Sequence, residues 1–177
     1  MQKQLLLLGI LALAAAGIGA AQQDKSKRPS PPASAGCKFA DGKSVTIDYS
    51  SPRMKGRKIF GELVPFGKVW RTGANEATTL VTSAGLTIGG KAVPAGSYTL
   101  YTVPEASKWR LIINKQTGQW GTKYDEAADL VRIEMKVSQL GAPQENFTIA
   151  LDGSGAKACT LRIEWETTRA SVGVEEQ

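Results

Sequence analysis

Short runs in which apolar and polar residues alternate recur from residue 44 almost to the end of the chain. An alternation with a period of two places apolar side chains on one face of an extended chain and is typical of half-buried β-strands. The predicted strands are 45–49, 79–82, 86–88, 91–93, 97–103, 109–113, 131–137, 147–151 and 159–165. Glycine, proline and asparagine turns separate these runs, and no convincing amphipathic helix interrupts them. The pattern predicts an all-β fold, specifically an antiparallel, jelly-roll-like β-sandwich of about eight or nine short strands.

The first 21 residues lack this pattern and have the features of an export signal. Lys3 precedes an almost unbroken apolar run at 5–16, and the small residues at 19–21 suit a signal peptidase. The run is shorter than the roughly 20 residues that a membrane-spanning helix needs, so a permanent anchor is the weaker alternative. We therefore expect cleavage near Ala21, no membrane span afterwards, and an exported protein that is periplasmic or secreted.

A segment rich in proline and serine follows the predicted signal at 22–36. Such a composition cannot fill a core and favours extended, solvated chain, so we predict a disordered tether there. The remaining residues, 37–177, are enough for one domain with its own core. The predicted organisation is a signal peptide, a tether and a single β-sandwich domain.

Cys37 and Cys159 are the only cysteines of the chain. They lie just before the first predicted strand and at the start of the last one. In an oxidising compartment such a pair is expected to form a disulfide that ties the two ends of the domain together. A redox or metal-binding pair is the alternative, but the spacing of the two cysteines gives it no support.

The chain contains no histidine, and this restricts the chemistry that it can perform. Ser-His-Asp and Cys-His catalysis and histidine-based zinc sites are excluded. Neither a phosphate-binding glycine loop nor a dinucleotide fingerprint is present, so we predict no cofactor and no metal site. The net charge of +6 is modest and opposed charges are interleaved along most of the chain, which argues against a nucleic-acid partner.

The stretch 65–78, here called the central loop, concentrates side chains that more often line a site than fill a core. It carries Trp70, Arg71, Asn75 and Glu76 around a glycine, between two segments that are predicted to be β-structure. Arg71 could hold a carboxylate or phosphate in a bidentate manner, with Asn75 and Glu76 as further hydrogen-bond partners. In the alternative interpretation, Arg71 and Glu76 form an ion pair that only fixes the loop.

Two further stretches allow both a functional and a structural interpretation. The segment 51–58 contains four basic residues, and it either captures an anion or forms a solvated loop. Trp120 stands between a glutamine and a glycine, and it is either buried in the core or a stacking platform for a ligand.

Long ordered motifs occur at 51–61, 63–78 and 94–101, and shorter ones at 114–115 and 119–121. Together they closely resemble the exported bacterial domain-of-unknown-function family 2911, over nearly the whole chain from about Cys37. The resemblance implies a bacterial, periplasmic or secreted β-rich domain, and it brings no activity with it. It also implies that the central loop and the basic run are family hallmarks, which favours one basic, aromatic-lined site.

The leading hypothesis is a binding module for a small polar or anionic ligand at the central loop. The predicted ligand-binding residues are Arg71, Asn75 and Glu76, with Arg53, Lys55 or Arg57 at the rim and Trp70, Tyr101 or Trp120 as apolar walls. One alternative is a carboxylate-dependent envelope hydrolase, in which Glu76 works with Asp125 or Glu126. The other is a purely structural or protein-interaction domain whose partner is an envelope protein.

Overall fold

The computed structural model describes residues 24–177, which contain nine β-strands. The strands are β1 (Pro32–Lys38), β2 (Ser44–Ser50), β3 (Thr79–Thr82), β4 (Leu86–Ile88), β5 (Lys91–Val93), β6 (Gly96–Pro104), β7 (Lys108–Asn114), β8 (Asp129–Gly155) and β9 (Ala158–Glu176). All of them belong to one sheet with the order β1-β2-β3-β6-β7-β8-β9-β4-β5, and all pairs are antiparallel. The predicted all-β, antiparallel fold is confirmed.

Helical structure in the described part is limited to two 3-10 turns, at Lys25–Lys27 and Glu126–Ala128. An aspartate side chain caps each turn by accepting a backbone N–H. Across residues 24–177, no helix has the length and apolar character that crossing a membrane requires. The predicted signal peptide at 1–21 lies outside the described residues.

Strand β1 begins inside the segment that was predicted to be a disordered tether. It pairs with β2 along its whole length, and its side chains alternate between half-buried and exposed. Ala33, Ala35 and Cys37 are the half-buried set and pack against the core. Pro32 is the first residue of this edge strand, a position that tolerates proline. The tether prediction is therefore wrong for residues 32–36, because small side chains with a linker-like composition can still complete the edge of a sheet.

Strands β8 and β9 are much longer than the short strands that were predicted, with 27 and 19 residues. The predicted strands 131–137 and 147–151 are two parts of β8. The register of β8 against β9 shifts between Gln139 and Thr148. Because β-bulges absorb extra residues without ending a strand, β8 continues through Pro143.

The sheet closes over one main core, so that β2 near one edge of the sheet contacts β8. The Tyr49 hydroxyl donates to the Ile149 carbonyl at 3.3 Å and accepts from the Ile149 N–H at 3.1 Å. The Tyr49 ring also packs edge-on against Phe147, with the ring centroids 5.6 Å apart. This closure is compatible with the predicted sandwich, although all strands share one hydrogen-bonded sheet.

A disulfide joins the edge strand β1 to β9. Cys37 and Cys159 are bonded, with Cα atoms 6.6 Å apart, which confirms the predicted pairing. The bond spans 122 residues, and closing a loop of this length lowers the entropy of the unfolded chain by an amount equivalent to about 4–5 kcal/mol in the chain-entropy model. The disulfide therefore holds β1 in place where small side chains give it only a modest apolar contact area.

Candidate functional site

Thr72 holds the centre of the central loop in an unusual backbone conformation. Its φ is 53°, a left-handed value that a β-branched residue rarely adopts. The side chain is buried, and its hydroxyl contacts the Trp70 carbonyl at 3.2 Å and the Thr102 hydroxyl at 3.0 Å. Trp70 and Thr102 also exchange two backbone hydrogen bonds of 2.8 and 3.0 Å. Such positions cost about 1–3 kcal/mol and persist where the surroundings fix them, often beside functional sites.

Gly73 and Asn75 complete the turn. Gly73 has a φ of 147°, and a Cβ there would meet the Ser50 carbonyl oxygen at 3.0 Å. Asn75 has a left-handed φ of 58°, which asparagine tolerates better than most residues. Its side-chain amide donates to the Ser30 carbonyl at 3.1 Å. Asn75, predicted to contact a ligand, therefore attaches the N-terminal segment to the central loop.

Packing against Gly121 positions the Arg71 side chain. A Cβ at Gly121 would lie only 2.7 Å from Arg71 Cδ, so the arginine stem runs directly over the glycine backbone. The Gly121 N–H donates to the Asn75 carbonyl at 3.0 Å, which holds that backbone in place. Arg71 Nε donates to the Gly73 carbonyl at 3.3 Å, and within residues 24–177 no carboxylate lies within salt-bridge distance of the guanidinium. The charge of Arg71 is thus held in position without an acidic partner from the described chain.

Arg71 and Arg57 line a cavity of about 340 Å³, which we call the arginine cavity. The other lining residues are Ser30, Pro52, Leu63, Val64, Trp70, Gly73, Ala74 and Trp165. Two arginine residues and no acidic residue contribute to this lining, so the cavity is positively charged. Arg57 is fixed because its Nε donates to the Met54 carbonyl at 3.0 Å and its Nη2 to the Arg53 carbonyl at 2.6 Å.

Aromatic packing makes Trp70 a rigid wall of the arginine cavity. Trp70 stacks on Trp165 with ring centroids 6.0 Å apart and planes inclined by 14°. Phe147 meets Trp70 edge-on at 5.1 Å. Offset stacking and edge-on contacts are both favourable arrangements of aromatic rings. Trp165 is only 2% exposed, as its place in an alternating strand predicts for a core residue, and it supports the wall by stacking on Trp70.

A second cavity of about 270 Å³, here called the tyrosine cavity, is lined by Val69, Trp70, Arg71, Tyr101, Gly121, Thr122 and Tyr124. Its tyrosine hydroxyls are already engaged. The Tyr101 hydroxyl donates to the Lys123 carbonyl at 3.0 Å, and the Tyr124 hydroxyl donates to the Asp129 carboxylate at 2.7 Å. Burial, reinforced by the hydrogen bond to Asp129, raises the pKa of Tyr124 to about 12. The tyrosine cavity therefore offers a ligand fewer unengaged polar groups than the arginine cavity does.

Glu76 pairs with the N-terminal segment and not with Arg71, which corrects the alternative of an Arg71–Glu76 ion pair. Arg28 Nη1 donates to both Glu76 carboxylate oxygens at 2.9 and 3.0 Å, and Lys25 Nζ lies 3.1 Å from the same carboxylate. The hydrogen bond from Arg28 is the largest cause that lowers the pKa of Glu76 to about 2. These three residues lie together beside a separate cavity of about 200 Å³.

The geometry gives no support to a hydrolase that depends on Glu76. A carboxyl group with a pKa near 2 is ionised at neutral pH and is poorly suited to general-acid catalysis. Asp125 caps the second 3-10 turn by accepting the Ala127 N–H at 3.0 Å, and Glu126 pairs with Arg132 at 2.6 Å. Neither Asp125 nor Glu126 lines the cavity that contains Glu76.

The remaining predicted residues lie outside the two cavities beside Arg71. Arg53 Nη1 donates to the carbonyl and the hydroxyl of Ser51 at 2.9 and 2.7 Å. Lys55 is exposed in a left-handed turn with a φ of 49°. Trp120 forms a β-bridge opposite Glu76 and is 48% exposed, so it is not a core residue. Three residues of the predicted set meet in the arginine cavity, namely Arg57, Trp70 and Arg71.

The fold and the site together define an all-β domain. Its central loop has a fixed backbone and contributes to a positively charged cavity with an aromatic wall. The chain belongs to the family described as "Protein of unknown function (DUF2911)", whose model matches residues 30–174. This match confirms the resemblance found in the motifs, and it spans every residue that lines the arginine cavity. No curated protein and no solved structure matches the chain.

Proposed function

We propose that the protein is a binding module for a small organic anion, which it holds in the arginine cavity. The observation that carries this proposal is Arg71, a guanidinium fixed by Gly121 at the wall of a cavity without carboxylates. Arginine presents a planar set of donors that matches the geometry of carboxylate and phosphate groups. Arg57 adds a second positive charge to the same lining.

The rest of the lining suits the organic part of such a ligand. Trp70 offers half-buried aromatic surface and Leu63 offers exposed aliphatic surface, whereas Trp165 and Val64 are buried core residues behind the lining. A volume of about 340 Å³ lies at the small end of the roughly 300–1,000 Å³ range of ligand pockets, so the ligand is a small molecule. Because the loop backbone is fixed before binding, little ordering of the protein opposes association.

We also propose that the protein binds its ligand outside the cytoplasm, in the periplasm or after secretion. Support comes from the apolar run at 5–16 with its signal-type flanks and from the Cys37–Cys159 disulfide. Disulfides persist mainly in oxidising compartments. A bacterial source is the corresponding expectation from the family resemblance.

A thermal-shift titration of residues 24–177 tests the ligand proposal. The probes are inorganic phosphate, inorganic sulfate, acetate, succinate and benzoate. The inorganic ions test whether negative charge is sufficient for binding, and the organic ions test whether an organic part is also required. A ligand present at about one hundred times its Kd adds about 2.7 kcal/mol to the free energy of unfolding. We expect at least one organic anion to raise the melting temperature more than the inorganic ions do.

Variants of Arg71 distinguish the cavity from unspecific charge effects. Arg71→Ala should abolish the shift, and Arg71→Lys should weaken it, because lysine keeps the charge but loses the planar set of donors. Lys136→Ala is the matched control, since it removes an exposed positive charge from β8. The proposal is wrong if no probe stabilises the protein, or if the stabilisation persists in Arg71→Ala.

A further inference from the structure

The excess positive charge of the protein is concentrated in one stretch. Of the 22 basic and 16 acidic residues in the chain, six basic residues and one acidic residue lie within 53–71. The rest of the chain carries 16 basic and 15 acidic residues, so this stretch accounts for +5 of the net charge of +6. Basic and acidic residues are interleaved in the rest of the chain, whereas the charged residues of this stretch are almost all basic.

Most of these cations have no acidic partner. Lys58 lies 3.7 Å from Glu62, the single acidic residue of the stretch. Within the described part of the chain, the other five basic residues form no salt bridge; they are Arg53, Lys55, Arg57, Lys68 and Arg71. Two carboxylates from other parts of the chain do lie against this stretch, since Glu145 accepts the Lys55 N–H at 2.9 Å and Glu166 accepts the Ile59 N–H at 3.3 Å. They offset part of the positive field, and the five unpaired side chains carry the rest.

Large apolar side chains stand out from the same stretch. Leu63, Phe66 and Val69 are 46%, 44% and 39% exposed, and they make up half of the six large apolar residues with comparable exposure in the described chain. The other three are Val81, Trp120 and Leu130, which are far from this stretch in sequence. The three lie within seven residues of one loop, where Leu63 borders the arginine cavity, Val69 the tyrosine cavity and Phe66 a third cavity. Exposed apolar groups that are grouped on one loop mark an interaction surface more often than single exposed residues do.

The exposed apolar residues are held by an ordered backbone. The Gly61 N–H donates to the Val64 carbonyl, and the Val64 N–H donates to the Ile59 carbonyl, each at 2.9 Å. The Gly67 N–H donates to the Pro104 carbonyl at 2.9 Å and ties the segment to the end of β6. The loop thus holds apolar side chains in water on a well-ordered backbone. Their exposure forgoes the free energy that burial would gain, and this loss indicates a surface with a function.

We propose that residues 55–69 form a peripheral docking surface for an anionic lipid membrane. Unpaired lysine and arginine residues are attracted to acidic headgroups, and exposed leucine, phenylalanine and valine side chains insert at the boundary of the headgroups and the acyl chains. Charge complementarity alone would also fit a nucleic acid. The three apolar side chains favour the lipid surface, where all of them reach an apolar environment, whereas only the Phe66 ring is of a type that stacks on bases.

The docking surface shares Arg57, Leu63, Val64 and Val69 with the linings of the two cavities, but two of its positions separate membrane binding from the binding of a small ligand. Phe66 and Lys68 belong to the docking surface but line neither the arginine cavity nor the tyrosine cavity. Variants at these two positions should therefore change membrane binding and leave the ligand-induced thermal shift unchanged. Each proposal then fails or succeeds by its own measurement.

Vesicle sedimentation tests the docking surface. The protein is residues 24–177, which hold all nine strands and the core described above. It is mixed with vesicles of phosphatidylcholine alone or of equimolar phosphatidylcholine and phosphatidylglycerol, at low and at high salt. We expect sedimentation with the anionic vesicles only, and weaker binding at high salt because salt screens the charges.

Single variants measure how much charge and apolar burial each contribute to vesicle binding. Lys68→Ala should weaken vesicle binding about fivefold, since a basic residue near an anionic surface contributes about 1 kcal/mol. Phe66→Ser should also weaken it about fivefold, since roughly half of a phenylalanine side chain is available for burial. Val81→Ser and Lys91→Ala are matched controls on β3 and β5 and should bind like the unmodified protein. Thermal melts of every variant establish that the fold is intact.

Three results would overturn the proposal. The first is an absence of binding to anionic vesicles, and the second is equal binding to neutral ones. The third is binding of the protein to duplex DNA with the same affinity as to anionic vesicles, with no change in Phe66→Ser. This result would assign the surface to polyanions in general.

Discussion

Replacing Gly121 by alanine tests the packing that positions Arg71. The added Cβ would lie 2.7 Å from Arg71 Cδ and 2.9 Å from the Asn75 carbonyl oxygen. Both contacts are too short for a Cβ, so the arginine stem and the Asn75 carbonyl both have to shift. Overpacking of this kind costs about 1–3 kcal/mol. For a domain of this size the melting temperature should fall by about 3–9 °C.

The assay compares Gly121→Ala with Gly141→Ala by thermal unfolding and by the thermal-shift titration. A Cβ at Gly141 would meet no atom within 4 Å, and neither glycine has a left-handed φ. Both substitutions lower the backbone entropy of the unfolded chain in the same way, so the difference in their melting temperatures reports the contacts with Arg71 and with the Asn75 carbonyl. The ligand-induced shift is the measurement that is specific to Arg71. We expect a lower melting temperature and a smaller ligand-induced shift only in Gly121→Ala. Equal behaviour of the two variants would refute the argument that Gly121 sets the position of the arginine.

Two further predictions concern the N-terminal segment. Glu76→Gln removes the ion pair with Arg28 and should lower the free energy of unfolding at neutral pH by about 0.5–1 kcal/mol, because the carboxylate is partly exposed and screened by solvent. The folded-state pKa of Glu76, about 2, lies below the usual 4.5, so this stabilisation is complete above pH 4.5 and is lost as the pH falls toward 2. Reduction of the Cys37–Cys159 disulfide should lower the free energy of unfolding by about 2–5 kcal/mol.

Urea unfolding measures both effects, at a series of pH values for Glu76→Gln and with and without reductant for the disulfide. A stability difference between Glu76→Gln and the unmodified protein that stayed constant from pH 7 to about pH 2 would contradict the assigned ion pair. Unfolding midpoints that do not respond to reductant would show that β1 does not depend on its covalent link.

Strand periodicity was sufficient to predict most of the sheet. Alternation marks the half-buried strand β2, and apolar residues on both faces mark β6 and β7, which are largely buried on both sides. Strand β1 was missed because its inward side chains are alanines and a cysteine, which carry little apolar signal. The sequence did not predict that 131–137 and 147–151 belong to one strand, β8. The glycine and proline residues between them occur both in turns and in β-bulges, so they did not distinguish the two.

The candidate site was only partly predictable. Trp70, Arg71 and Arg57 lie close together in sequence, so their clustering pointed to one site. Trp165 reaches the same cavity from the last strand, and only the paired sheet brings it there. The partners of Glu76 come from the N-terminal segment, and an ion pair across 48 residues leaves no periodic pattern in a sequence.

The pairing of β4 with β9 also determines when the fold can form. Leu86 pairs with Glu176, almost at the end of the chain, and the disulfide joins residues 122 positions apart. Contacts of such long range are slow to form, because the loop between them must close before any stabilisation is gained. The sheet is therefore incomplete until β9 has paired with β4, and until then its unpaired strand edges can pair with other chains.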